Sequence, residues 1–209
     1  MGNRPSPAEA WQTLLDGNAR FIRGEMAHPS QDVDRRTQLS TGQAPFAVLF
    51  GCSDSRVAAE IVFDQGLGDL FVVRTAGHVL DTTVIGSIEY GVDILGASVV
   101  VVLGHDSCGA VAAATTALTT GVMPRGFVRA IVDRVIPSIV GVGAIADLDG
   151  DLDPESLRRE HVRATVRMLQ DYSISLATAA AEGRCAIVGA EYALADGTVS
   201  VVATVGSIG

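Results

Sequence analysis

Three short apolar runs rich in β-branched residues, Phe46–Phe50, Leu70–Val73 and Ala97–Leu103, set the tightest limit on what this chain can fold into. None alternates apolar with polar residues, so each reads as a strand covered on both faces, as in a parallel sheet between helical layers. Val57–Phe63 and Thr82–Leu95 lie between the runs and read as helices. Strand, helix, strand, helix, strand is the α/β order.

The flanking sequence extends this pattern. Ala8, Trp11, Leu14, Leu15, Ala19 and Ile22 fall near helical spacing within Pro7–Arg23, which predicts an amphipathic helix. We expect residues 1–40 to form a helical N-terminal arm packed on a partner subunit. His28–Pro45 is polar and ends in the turn-rich Thr41-Gly42-Gln43-Ala44-Pro45. An alanine-rich helix is expected after Gly109, another near Arg125, and a long one over Pro154–Ala181 ending at Glu182-Gly183. Cys185–Val188 and Thr198–Val202 read as two last strands around a turn at Asp196-Gly197, the final one antiparallel. The expected fold is α/β: a mainly parallel central sheet of about five strands flanked by helices, with an N-terminal helical extension, all one domain over residues 1–209.

Composition narrows the class. A chain of 209 residues, 48% hydrophobic and 19% charged, can bury a single sizeable core. Its longest apolar runs, such as Gly96–Gly104, are too short to span a bilayer, and its N-terminus lacks the layout of a secretory signal. We therefore expect a soluble, cytoplasmic protein with no membrane partner. A net charge of -9 supplies no basic field for nucleic acid. Arg158, Arg159, Arg163 and Arg167 alternate with acids and apolar residues, as a solvated helix face does. The three cysteines, at positions 52, 108 and 185, are too few and too odd in number for a disulfide framework, which leaves metal binding or burial.

Two of the predicted strands end in polar sequence: Gly51-Cys52-Ser53-Asp54-Ser55-Arg56 after the first and Gly104-His105-Asp106-Ser107-Cys108-Gly109 after the third. Open parallel sheets bind ligands at such carboxyl ends. Were the two strands neighbours, their loops would bring two thiols and an imidazole together over one crevice. Thiolate and imidazole suit zinc, and three protein ligands leave a fourth position for water or substrate. His28, His78 and His161 have no second ligand at metal spacing and read as surface or loop histidines. Cys185 reads as inert packing.

The pair of motifs Cys52-Ser53-Asp54-Ser55-Arg56 and Gly104-His105-x-x-Cys108-Gly109 resembles the signature of the β-class carbonic anhydrases. The likeness runs through Phe71-Val72-Val73-Arg74 and Ser87-Ile88-Glu89-Tyr90 to the C-terminal strands. It implies one Zn²⁺ per subunit on Cys52, His105 and Cys108, with Asp54 either paired to Arg56 or bound to the metal as a conditional fourth ligand. Zinc with two thiolates and a neutral imidazole carries no net charge, so a carboxylate within reach competes for the open position, and Arg56 can hold it away. The implied reaction is reversible hydration of CO₂ to bicarbonate and a proton by a zinc-bound hydroxide. Zinc lowers the pKa of bound water from about 15.7 to roughly 7 in the histidine-ligated carbonic anhydrases, the standard case of this effect. Asp54 and Arg56 form the catalytic pair.

The resemblance further implies that Gln43 donates to substrate, that Phe71 and Tyr90 line the CO₂ pocket beside Gly109, and that the protein is a dimer or tetramer with the pocket at a subunit interface. Some relatives carry an inhibitory bicarbonate site that uses a tryptophan three residues before the first zinc cysteine. Here Leu49 stands in that place, with Arg74 and Tyr192 at the other two positions. Asp106 and Ser107 are candidates to relay protons or to orient His105. Three other readings stay open: CS₂ or carbonyl sulfide hydrolysis on the same zinc, a zinc module without catalysis, and a nucleotide-binding domain. The last lacks a Gly-x-Gly-x-x-Gly after the first strand.

Overall fold

Ser6 starts the first helix by a reciprocal cap: its hydroxyl accepts the Glu9 N–H while the Glu9 carboxylate accepts the Ser6 N–H at 2.8 Å. Pro7 fits the first turn and Gly24, left-handed at φ 68°, ends the helix. The computed structural model describes residues 4–140 and 153–209. Its helices are α1 (Pro7–Arg23), α2 (Val33–Gln38), α3 (Ala59–Val62), α4 (Thr82–Glu89), α5 (Gly109–Thr120), α6 (Val128–Ile139), α7 (Pro154–Tyr172) and α8 (Ile174–Ala181). Its strands are β1 (Ala47–Cys52), β2 (Leu70–Thr75), β3 (Val99–His105), β4 (Ala186–Tyr192) and β5 (Val199–Val205).

The strands form one sheet in the order β2-β1-β3-β4-β5, with β5 alone antiparallel to its neighbour. Every residue of β1, β3 and β4 is buried, and alternate side chains feed two cores. Leu49, Val101 and Val188 meet α1 and α3 on one face, and Val48, Phe50, Val102 and Ile187 meet α4, α7 and α8 on the other. A third cluster, of Val111, Ala114, Val132, Val135 and Leu157, closes α5, α6 and α7 around Cys52 and Cys108.

Ala10, Trp11 and Leu14 of α1 are buried against their own protomer's sheet, while Ile22 in its last turn stays 44% exposed. Gly17 permits this approach, since a Cβ there would lie 1.8 Å from the Phe63 carbonyl oxygen. The long C-terminal helix is two helices. Ser173 leaves helical geometry at ψ 103°, its hydroxyl accepting the Leu176 N–H and donating to Glu89 at 2.6 Å. Helix α4 runs on only as a wider π-type turn over Tyr90–Ile94. The last two strands extend to Tyr192 and Val205, beyond their expected ends.

Candidate metal centre

The strand order makes β1 and β3 parallel neighbours, and their last residues are Cys52 and His105. Cys108, three residues on, is the N-cap of α5, where first-turn N–H groups favour a thiolate. The sulfurs of Cys52 and Cys108 and a ring nitrogen of His105 lie within 4.8 Å of one another, all buried.

The imidazole is oriented for a metal. Its Nδ1 lies 2.7 Å from the Asp106 backbone oxygen, which can only accept, so Nδ1 carries the proton and Nε2 presents a lone pair. That Nε2 is buried and has no hydrogen-bond partner among the described residues. The Cys108 thiol foremost draws Cys52 down to about 4, helped by His105 and the Gly77 N–H against the cost of burial. The same contact, with burial, holds Cys108 above the ordinary thiol range. Two thiols thus share a proton where a divalent cation would bind both sulfurs. An orphaned imidazole nitrogen beside two such sulfurs fits Zn²⁺.

Asp54 sits beside this cluster, its Oδ2 4.0 Å from His105 Nε2. Arg56 grips it with two side-chain bonds, Nε to Oδ1 at 2.9 Å and a terminal nitrogen to Oδ2 at 2.7 Å, and adds its own backbone N–H. Those bonds hold the carboxyl well below the usual carboxylate range. Arg56 also reaches the Ser107 carbonyl at 3.4 Å, joining the two loops.

Phe71 and Tyr90 face each other with ring centres 6.0 Å apart, Phe71 half-buried and Tyr90 47% exposed. Gly109 begins α5 with open space around it. Gln43 is exposed in a depression with Arg36, Leu39 and Leu67, apart from the one lined by Ser107, Cys108 and Arg158. Leu49 is core, and Tyr192 is buried with its ring tilted against Phe21.

Arg74 is the residue that sequence reasoning underrated. It donates to the Cys52 carbonyl at 2.9 Å and to the Asp54 carbonyl at 2.6 Å, which pins the loop from Cys52 to Asp54. A lone arginine closing the apolar run of β2 was the available signal. His78 and His161 are not surface residues: they are 2% and 1% exposed and stack with ring centres 4.2 Å apart. Arg158 and Arg159 leave the solvated face to meet buried Glu191, while Arg163 and Arg167 pair with Glu160. Asp106 orients His105 through its backbone, its carboxylate accepting the Leu194 N–H instead. Cys185 is buried, and burial pushes its thiol up to about 12.

A mostly parallel sheet with two cysteines and a histidine gathered at the carboxyl ends of adjacent strands defines an α/β protein with a candidate mixed-ligand metal site. Comparison with known proteins makes the class specific. The carbonic anhydrase family model matches residues 47–199. A carbonic anhydrase of Mycolicibacterium smegmatis is 54% identical over 98% of this chain and 97% of its own length. Carbonic anhydrase 2 of Mycobacterium tuberculosis is 50% identical over the same shares. Among solved structures, the Coccomyxa β-carbonic anhydrase in complex with acetazolamide superposes with a TM-score of 0.70 at 25% identity, covering 92% of this chain and 86% of that one. A tetrameric β-carbonic anhydrase of Sordaria macrospora shares the fold, with a TM-score of 0.69 at 23% identity over 91% and 95% of the two chains. The chain belongs to the β-class carbonic anhydrase family.

Proposed function

We propose that this protein catalyses the reversible hydration of CO₂ to bicarbonate and a proton, with one Zn²⁺ per subunit held by Cys52, His105 and Cys108. The observation that carries the reading is the buried cluster of two sulfurs and an unpartnered imidazole nitrogen with Asp54 beside it. When bound, zinc supplies the Lewis acidity that makes water nucleophilic near neutral pH.

The chain's own residues supply aim. Asp54, ionised and gripped by Arg56, is placed to accept a hydrogen bond from the attacking water and direct its lone pair at carbon. Freed from Arg56, the same carboxylate is the group near enough to compete as a fourth ligand. Phe71 and Tyr90 would offer the apolar side that CO₂ needs. Phe71 pairs in register with Val48, four residues before Cys52, so it would serve the site of a neighbouring subunit rather than its own. Gln43 would donate to substrate from a partner subunit, a reading supported by its exposure and its distinct depression, and by the tetramer of the Sordaria relative. We read the assembly as a dimer or tetramer.

The test is stopped-flow CO₂ hydration on protein of known zinc content. Cys108→Ala should lose zinc and activity together, and Asp54→Ala should keep zinc but fall about a hundredfold in rate. A zinc-loaded wild type inactive at pH 7 and pH 8.5 would overturn the reading, and turnover of CS₂ or carbonyl sulfide by that protein would redirect it.

A further inference from the structure

Behind the metal centre, four buried groups on four elements form a chain of hydrogen bonds that the proposed reaction does not use. Gly77, just after β2, donates its N–H to the Cys52 sulfur at 3.3 Å. Its carbonyl oxygen lies 2.7 Å from His161 Nε2 on α7, and since a carbonyl only accepts, Nε2 carries the proton. His161 Nδ1 then presents a lone pair 2.5 Å from the Ser138 hydroxyl on α6. His78 stacks on the same imidazole and meets Phe50 with the rings near perpendicular.

The N–H that meets the ligand sulfur belongs to the residue with the freest backbone. Gly77 is left-handed at φ 65°, and a Cβ there would lie 2.5 Å from the Ala110 Cβ, so no other residue fits. Glycine does not hold such a geometry by itself. The His161 bond anchors the peptide plane that follows Gly77 and so limits the rotation left to its N–H plane, while Ser138, whose one hydroxyl proton has both His161 Nδ1 and the Val135 carbonyl at 2.6 Å within reach, braces the imidazole.

We infer that His161 is a positioning residue for the metal centre, acting through Gly77 to aim the N–H that the Cys52 sulfur accepts and so setting the donor strength of that ligand. The inference rests on reading Cys52 as a metal ligand. Residues that hold a ligand in this way typically govern metal affinity by about 10- to 100-fold.

The experiment uses the full chain loaded with Co²⁺, read by its thiolate-to-metal absorption band, together with chelator competition for Zn²⁺ and thermal unfolding. In His161→Phe the band should move to lower energy, because the sulfur loses a donor, and zinc affinity should fall about tenfold or more. His161→Gln, which keeps an N–H near Nε2, should restore the band position and bring affinity within about threefold of wild type. A merely structural role would lower the melting temperature of both variants and leave the band in place. A folded His161→Phe with wild-type band and affinity overturns the inference and spares the metal reading. A wild type without any thiolate band removes both. Should His161→Phe fail to fold, Ser138→Ala decides: a smaller shift to lower energy supports the role, and an unmoved band overturns it.

Discussion

Arg56 is half exposed, yet it makes three hydrogen bonds to one carboxylate, so its value lies in geometry rather than charge. Because Asp54 is held well below the carboxylate range, it stays ionised throughout neutral pH. Removing Arg56 lets its pKa rise towards an ordinary value of about 3.9, still below pH 6. In Arg56→Ala, kcat/KM should therefore fall about tenfold or more at pH 9, where hydroxide competes best with the freed carboxylate for the metal, and any steeper loss towards pH 6 should come with Asp54 in the zinc coordination shell. A wild-type rate at pH 9 in the pH–rate profile would sink the geometric account. At this scale the clustering of Cys52, His105 and Cys108 was legible because all three sit in polar tips of apolar strands. The environments of His78 and His161 were not, since a histidine's burial depends on which helices cover it. The tip of β2, Thr75-Ala76-Gly77-His78, carried the same sequence contrast and went unread.

The joints between elements are held by buried polar groups. Asn18 on α1 donates to the Val62 and Gly197 carbonyls at 3.1 and 2.8 Å, tying helix α1 to α3 and to the turn before β5. Asp64, just past α3, has a side chain with no solvent exposure and accepts from Arg20 at 2.6 Å and from the Ala27 and His28 N–H groups at 2.9 Å. Burial alone would raise its pKa, and these donors more than offset that, leaving it lowered. A depressed folded-state pKa contributes stability that is complete above the unfolded value, about 3.9, and is lost as pH falls through the folded one. Asp64→Asn should cost about 2 to 3 kcal/mol in denaturant unfolding at pH 7. The gap from wild type should narrow below about pH 4, and a gap that is unchanged at pH 3 would refute the linkage. The apolar spacing from Ala8 to Ile22 matched the bounds of α1, which Ser6 and Gly24 cap. Sequence periodicity missed the break at Ser173, where a side-chain bond to Glu89 from a distant helix ends α7.

The α/β order predicts that strands share a direction but not which strands touch, and the whole centre depends on β1 lying between β2 and β3. That placement gathers Cys52, the Arg74 anchor and His105 at the carboxyl end of the sheet. Gln43 precedes β1, at the opposite end from the tip that carries Cys52, and within one protomer it lines a different depression. If Gln43 serves the site of a neighbouring subunit, both defects of a mixed dimer fall in one site and leave the other complete. Gln43→Ala and Cys108→Ala proteins should each be impaired as pure preparations. Dissociated and re-formed together, they should recover about a quarter of wild-type CO₂ hydration, since half of random dimers are mixed and each has one complete site. Recovery no greater than the average of the two pure preparations would place Gln43 either within its own protomer's site or outside the reaction, and a wild-type rate in pure Gln43→Ala would decide for the latter.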